Sequence, residues 1–470
     1  MTRFAILTLV AALSLGGCAS FVPKAPAYQD KLALPVPDTL GPTAVSGVRG
    51  ADGGAVALDW HVVVTDPRLR SLVDLALANN RDLRLAALNI DAARAQYRIT
   101  DAALLPTVKA SAGGTAARTS AATSGGGSGT SRTVSASLGI AAWEIDIWGR
   151  LRELKSSALS TYLASEQTRT SVQASLVTEV AQAWFTLAAD LRLADLAAAT
   201  MVSNQESLAL AQRRHELGSA TALDVATAEA TYQTARGDLA ASRAQLKQDH
   251  NALRLLVGAE PPAETLPGLD DAAHAAELPA VPSNLPSTVL LQRPDLRAAE
   301  LLLQASRANV QAARAALFPT LSLTSSLGQA STGLNGLWSA ANRTWSIAPS
   351  LSLPILDGGA TQAALDSAQV NQRIQLATYE KAIQTAFQEV SDALAVRDSL
   401  TERLTAQRAQ VQAYADTLRL TQRQRELGAA SAVDVLTAQR SLYSAQQSLI
   451  SLQLTEQANR LTLFKVLGGA

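Results

Sequence analysis

Apolar and polar positions along this chain follow two different periods. From Gly149 to Leu217 there is no proline, and residues such as Val172, Leu176, Val180, Ala183 and Leu187 recur every three or four positions. That spacing predicts one buried stripe of an α-helix. Gly218 closes the run, and a second helical pattern extends from about Ala222 to Val257. A single helix over the first run would be roughly 100 Å long at 1.5 Å per residue, more than a compact soluble domain needs. An earlier helical pattern starts at Asp66-Pro67 and continues to about Ala103, with proline at an early helical position where its missing N–H costs nothing.

Between these helices the period drops to two. In "TVSASLGIAAWEIDIW", Val134, Ala136, Leu138 and Ile140 share one parity, and Trp143, Ile145 and Ile147 share the other after a phase shift. This is strand patterning. Two strands are predicted at about 105–117 and 132–147, joined by the Gly/Ser-rich "TSGGGSGTSR". Two more are predicted at about 320–330 and 343–356, where Leu321 and Leu323, then Trp345, Ile347, Leu351, Leu353 and Ile355, alternate with small polar residues.

The chain also repeats itself. "RRHELGSATALDV" at 213–225 returns as "RQRELGAASAVDV" at 423–435, and "AALLPT" at 102–107 returns as "AALFPT" at 315–320. From Gly149 onward the offset is 210 (359 − 149; 434 − 224), and before the strands it is 213 (315 − 102). The three-residue difference falls between paired strands, so the indel sits in a loop and the helices are ungapped. The predicted organisation is a first helix–strand–strand–helix–helix unit at 66–257, a proline-rich linker at 258–286, and a second unit at 287–470. Residues 18–65, with five prolines between 23 and 42, read as an extended leader.

Composition narrows the function. The 40 basic and 40 acidic residues balance, which removes a broad electrostatic case for nucleic acid. Residues 1–17 combine Arg3, the apolar run Phe4–Leu15 and small residues before Cys18, which describes an export signal too short to remain as a spanning helix. Cys18 is the only cysteine, so no intramolecular disulfide can form. "LGGCAS" resembles a bacterial lipobox, which implies a lipidated Cys18 and, with Ala19 and Ser20 following, the outer membrane. An ordinary secretion signal is the alternative.

No later segment approaches 18 consecutive apolar residues, so any membrane crossing must be made by strands closed into a barrel. Four strands are too few for a barrel, which needs about eight or more, and open edges in lipid are forbidden. Other chains must therefore complete it. Trp143, Trp148, Trp338 and Trp345 cluster in and around the strands, as an interfacial girdle or as ordinary strand packing.

Several stretches together resemble one family: "WEIDIWGRLR" (143–152), "LQRPDLRAAE" (291–300), "AALFPTLSL" (315–323), "LPILDGG" (353–359), the twin Glu-Leu-Gly phrases and the lipobox. The chain is similar to the TolC-like outer-membrane factors, in the lipoprotein branch that serves RND-type efflux pumps. The resemblance implies a mainly α fold with a small β part. It implies a homotrimer with a twelve-stranded outer-membrane β-barrel continued by a long periplasmic α-helical barrel. It also implies a passive exit duct that works with a periplasmic adaptor and an inner-membrane RND transporter, with no cofactor beyond lipid at Cys18. Its lipid favours efflux over a type I protein-secretion channel. A non-channel periplasmic lipoprotein adaptor would lack membrane strands.

No catalytic or metal constellation is visible. His61, His215, His250 and His274 lie far apart without ligand spacing, and no Gly-x-Ser-x-Gly elbow or phosphate loop occurs. The twin phrases instead read as helical turns. Gly218 and Gly428 suit a left-handed position after a helix. Asp224 and Asp434 lie three residues after Thr221 and Ser431, a spacing close to a capping box. In the family such turns form the periplasmic end, and the second pair lines a closed aperture held by charged side chains. The resemblance thus makes Val433, Asp434, Thr437 and Arg440 gate candidates. Thr437 stands where the family pattern has an acid, and Ala230 stands opposite Arg440 in the first repeat.

Overall fold

The computed structural model describes residues 39–40, 59–119, 129–269, 271 and 285–469. The export signal, Cys18 and most of the leader lie outside the described residues, as does much of the linker. Helices and strands follow the duplicated order. Short β1 (Thr39–Leu40) and α1 (Trp60–Val63) precede α2 (Pro67–Asn79), α3 (Arg81–Ala102), β2 (Val108–Thr119) and β3 (Gly129–Glu144). Then come α4 (Arg150–Glu216), α5 (Ala222–Val257), β4 (Leu285–Pro286), α6 (Pro294–Ala315), β5 (Thr320–Ser331), β6 (Arg343–Ser352), α7 (Ala360–Glu426) and α8 (Ala432–Val466). β1 pairs with β4 in a small antiparallel ribbon.

The first predicted helix is two helices, broken at Asn80. Asn80 is extended, with ψ 135°, and its Oδ1 accepts from the Leu83 amide at 2.9 Å, starting α3 anew. The strand ends also move. β2 begins at Val108 rather than 105, because Ala103–Leu105 close α3 with backbone turns and Pro106 follows. β3 runs from 129 to 144 rather than 132 to 147. β6 ends at Ser352 rather than 356, before Pro354.

The chain divides into two compact units. Among the described residues, the sheet-bearing unit comprises 89–119, 129–165 and 298–380. Its single sheet has the order β2-β3-β5-β6, antiparallel throughout. β2 and β6 each have one edge with no partner strand among the described residues. One face carries Val108, Leu138, Leu327, Trp345, Ile347 and Leu351, all more than half exposed. The opposite face carries small polar residues, and there Ser111 bonds Ser137 at 2.9 Å and Ser326 bonds Ser346 at 2.8 Å. This is the alternation of a strand with lipid on one side and water on the other.

The phase shift in the β3 sequence has a structural cause. The pairing of β3 with β5 slips between Ile140 and Trp143. Ala142 adopts φ 46°, the only positive φ outside glycine among the described residues. This β-bulge returns Trp143 to the apolar face opposite Leu323. Of the four tryptophans in and around the strands, Trp143 and Trp148 are tied down, donating to the carbonyls of Leu104 (3.2 Å) and Pro319 (2.7 Å). Trp338 and Trp345 remain about three-quarters exposed, at 77% and 73%.

Among the described residues, the helical unit comprises 39–40, 59–88, 166–269, 271, 285–297 and 381–469. Its core joins Leu69, Leu72 and Val73 of α2, Val177 and Val180 of α4, Leu253 and Val257 of α5, and Leu461 and Phe464 of α8. Trp184 is fully buried there, and its indole donates to the Thr265 carbonyl at 3.0 Å, fastening the described start of the linker to the core. Elsewhere α4 buries Ala174, Ala188, Ala189 and Ala197, small side chains that allow neighbouring helices to approach closely.

Candidate functional site

The two twin phrases fold into two nearly identical turns. After α4, Gly218 takes φ 69°, its amide donates to His215 and the Ser219 amide donates to Arg214 at 2.8 Å. After α7, Gly428 takes φ 79°, its amide donates to Arg425 and the Ala429 amide donates to Gln424 at 2.8 Å. These are Schellman closures, which place a left-handed residue where a Cβ would be strained.

Each turn then starts a helix with a complete capping box. The Thr221 amide donates to Asp224 at 2.8 Å while the Asp224 amide donates back to the Thr221 hydroxyl at 3.1 Å. Ser431 and Asp434 do the same at 2.8 and 3.2 Å. The backbone and hydroxyl of Thr221 hold the Asp224 carboxyl below the usual carboxylate range, with help from Arg425. The hydroxyl and backbone of Ser431 do the same for Asp434.

Asp434 is committed to its cap and makes no ion pair with Arg440. Six residues apart, the two project from different sides of α8, since each residue turns the helix by about 100°. Val433, Thr437 and Arg440, spaced by four and three, share one stripe. Val433 is 49% exposed, and the Thr437 hydroxyl donates to the Val433 carbonyl at 2.8 Å, within its own helix. Arg440 is exposed and has no hydrogen-bond or ion-pair partner among the described residues.

Arg440 lines a polar groove of about 900 Å³ between the α4–α5 and α7–α8 hairpins, with Asn204, Thr231, Asp238, Tyr414 and Tyr443. Burial, then the Asp238 carboxylate that accepts from it, hold the Tyr443 phenol above its ordinary value. Nearer the turns, Arg425 of α7 lies close enough to Arg214 and Asp224 for their charges to bear on it. Burial and Arg214 lower its affinity for the proton, and Asp224 opposes them. The sequence reading singled out Arg440 by comparing repeats but missed Asp238 and Tyr443. The same comparison marks both, since their counterparts are Ser448 (238 + 210) and Gln233 (443 − 210). No cluster of three or more metal-ligating side chains occurs among the described residues.

Comparison with known proteins agrees with this architecture. The family model for outer membrane efflux proteins matches residues 72–259 and 285–469, one stretch per repeat. The chain is 43% identical over 470 residues to the antibiotic efflux pump outer membrane protein ArpC of Pseudomonas putida, covering all of this chain and 96% of that one. It is 37% identical over 476 residues to the cation efflux system protein CusC of Escherichia coli, covering all of this chain and 99% of that one. The crystal structure of the open state of the MtrE outer membrane channel of Neisseria gonorrhoeae superposes with a TM-score of 0.79 at 37% identity, covering 93% of this chain and 96% of that one. With two family matches that coincide with its two repeats, an unclosed four-stranded sheet and paired long helices, this chain belongs to the outer membrane efflux protein family.

Proposed function

We infer that the protein is the passive exit duct of a tripartite RND-type efflux pump, active as a homotrimer. The observation that carries this reading is the sheet. It has an apolar face, a face of small hydroxyls and two edges without a partner strand among the described residues, so membrane insertion requires closure with further copies. Three copies give twelve strands, enough for a water-filled lumen, whereas an eight-stranded barrel is filled by its own side chains. The same sheet argues against a non-channel adaptor. A periplasmic adaptor and an inner-membrane transporter would supply drive and selection. Lipid on Cys18 would anchor the leader, and no enzymatic step is assigned.

In this reading Val433, Thr437 and Arg440 form the constricting stripe of α8. Tyr443 and Asp238 tie the α7–α8 hairpin to the α4–α5 hairpin. Asp224, Asp434, Gly218 and Gly428 hold the shape of the turns. Insertion of the purified full chain into planar lipid bilayers tests the duct directly. Discrete ion-conducting steps of uniform size are expected, and membrane-bound protein that conducts nothing would overturn the reading.

A further inference from the structure

On the apolar face of the sheet, three of the four strands carry an arginine near the end distant from the helices. Arg118 lies one residue inside the end of β2, Arg132 lies near the start of β3, and Arg343 is the first residue of β6. The pairing puts all three on the side of Val134, Leu138, Leu327 and Trp345. Ala116 faces Arg132, Leu138 pairs with both Ala110 and Leu327, and Gln329 faces Arg343, two positions before Trp345. The arginines step toward the helices from β2 to β6. The strand ends step the same way, with Thr119 opposite Gly129, Ser331 opposite Val134 and Arg343 opposite Gln329. The arginines therefore follow the margin of the sheet, as a level line does across tilted strands.

Nothing acidic balances them. The sequence has no Asp or Glu between Asp101 and Glu144 or between Glu300 and Asp357. All three arginines are exposed, and none makes an ion pair among the described residues. Arginine on a lipid-facing surface is costly at the bilayer middle and tolerated at the interface, where its guanidinium can pair with phosphate in a fork. Immediately below this margin, on the same face, is a hollow of about 790 Å³ lined by Ala110, Ala112, Ala136, Leu327, Trp338 and Arg343. Small side chains there leave room for an acyl chain. Trp338, 77% exposed, has the amphipathic ring that favours the headgroup level.

We propose that Arg118, Arg132 and Arg343 form a binding belt for a phosphorylated lipid of the surrounding membrane, with its acyl chains resting in the alanine-lined hollow beside Trp338. The proposal rests on the reading that the apolar face of the sheet meets lipid. Closure with further copies would bring β6 of one chain beside β2 of the next and repeat the belt around the rim. The occupant is a membrane lipid rather than free phosphate, because the apolar hollow adjoins the cations.

The test is native mass spectrometry of the delipidated full-length protein in detergent, titrated with bis-phosphorylated lipid A, dephosphorylated lipid A, a zwitterionic phospholipid and inorganic phosphate. Wild-type protein should prefer bis-phosphorylated lipid A over the other three. The triple variant R118S/R132S/R343S should bind it roughly a hundredfold more weakly, from the contribution of each basic residue near a charged lipid surface. Lys109→Ser, at the helix-side end of β2 on the polar face, should bind as wild type. Equal binding of phosphorylated and dephosphorylated lipid by wild type would overturn the proposal without any variant, as would unchanged binding by the triple variant. Failure of the lipid-facing reading would look different, as loss of insertion into vesicles of any composition.

Discussion

Asn80 and Arg293 occupy the same position of the two repeats (293 − 80 = 213), and each reaches the last carbonyl turn of its own repeat. Asn80 donates through Nδ2 to the Leu256 carbonyl at 2.7 Å, and Arg293 donates through Nη1 to the Val466 carbonyl at 3.1 Å. The acceptors are themselves equivalent (466 − 256 = 210). Arg293 adds what an amide cannot, bonding Asp295 at 2.8 Å and Glu389 of α7 at 2.7 Å from a side chain that is only 8% exposed. The second repeat is therefore clamped by charge where the first is clamped by a neutral amide. Arg293→Ala should cost about 1–3 kcal/mol per chain, at the low end for a broken ion pair because both carboxylates reach solvent. Asn80→Ala should cost less, and Arg293→Lys should rescue only in part, lacking the fork. Thermal unfolding followed by circular dichroism ranks the three.

Another pair of equivalent positions links stability to pH. Asp249 is buried on α5, and among the described residues its Oδ2 has no hydrogen-bond partner. Its counterpart Asn459 (249 + 210) is equally buried and donates to the Ala393 carbonyl at 2.9 Å. The position thus accommodates a neutral donor. Burial, then the Asp249 carboxyl beside it, push Asp190 from 3.8 up to about 7. The two cationic side chains next to them in sequence are engaged elsewhere. Arg192 bonds Gln453, and His250 faces Glu260. A raised carboxyl pKa means that the folded state holds a proton the unfolded state has lost. Its stabilisation is complete below about pH 4 and lost as pH rises through about 7. Wild-type unfolding temperature should fall across that window. In Asp249→Asn the slope should flatten, and an unchanged slope would exclude the pair as its source.

The close approach of β3 and β5 rests on two glycines of the polar face. A Cβ on Gly139 would sit 2.6 Å from the Ser325 carbonyl oxygen, and one on Gly328 would run into the Ala136 carbonyl and Ser137. Gly113, also on that face, has open space. Gly328→Ala should cost about 1–3 kcal/mol by overpacking and reduce the yield of heat-resistant oligomer in unheated detergent gels. Gly113→Ala should leave that yield unchanged.

The gate assignment makes an electrical prediction. Arg440→Ala should raise single-channel conductance of the isolated oligomer several-fold, and Asp434→Asn should not, because Asp434 serves its cap. Tyr443→Phe should share the Arg440 effect in part, by releasing Asp238 on the neighbouring hairpin. Unchanged conductance in Arg440→Ala removes Arg440 from the gate.

Much of this fold was legible because duplication and period are local. The turns at Gly218 and Gly428, the start of α5 at Ala222 and the displaced alternation around Ala142 all left direct traces in the sequence. Asn80 interrupting its helix left only a faint one, since the polar run Asn79-Asn80-Arg81-Asp82 fits the solvent face of a continuous helix as well as a break. The site was less legible for a similar reason. Helical spacing could group Val433, Thr437 and Arg440, and the three-residue step from Ser431 to Asp434 pointed to the cap. Neither could show that Asp238 meets Tyr443, a contact that depends on how separate hairpins pack.

Closure by three copies is most directly tested by disulfide trapping between the free edges. Ala348→Cys on β6 is combined in turn with Ser111→Cys, Gly113→Cys and Thr115→Cys on β2, all on the polar face. Cys18, the only native cysteine, is controlled by the parent protein. Neighbouring strands bring Cα atoms within disulfide reach, about 4.4–6.8 Å. The account predicts a covalent ladder that ends at the trimer and is strongest at one β2 position. A ladder that ends at the dimer, or no cross-link at any position, would contradict it.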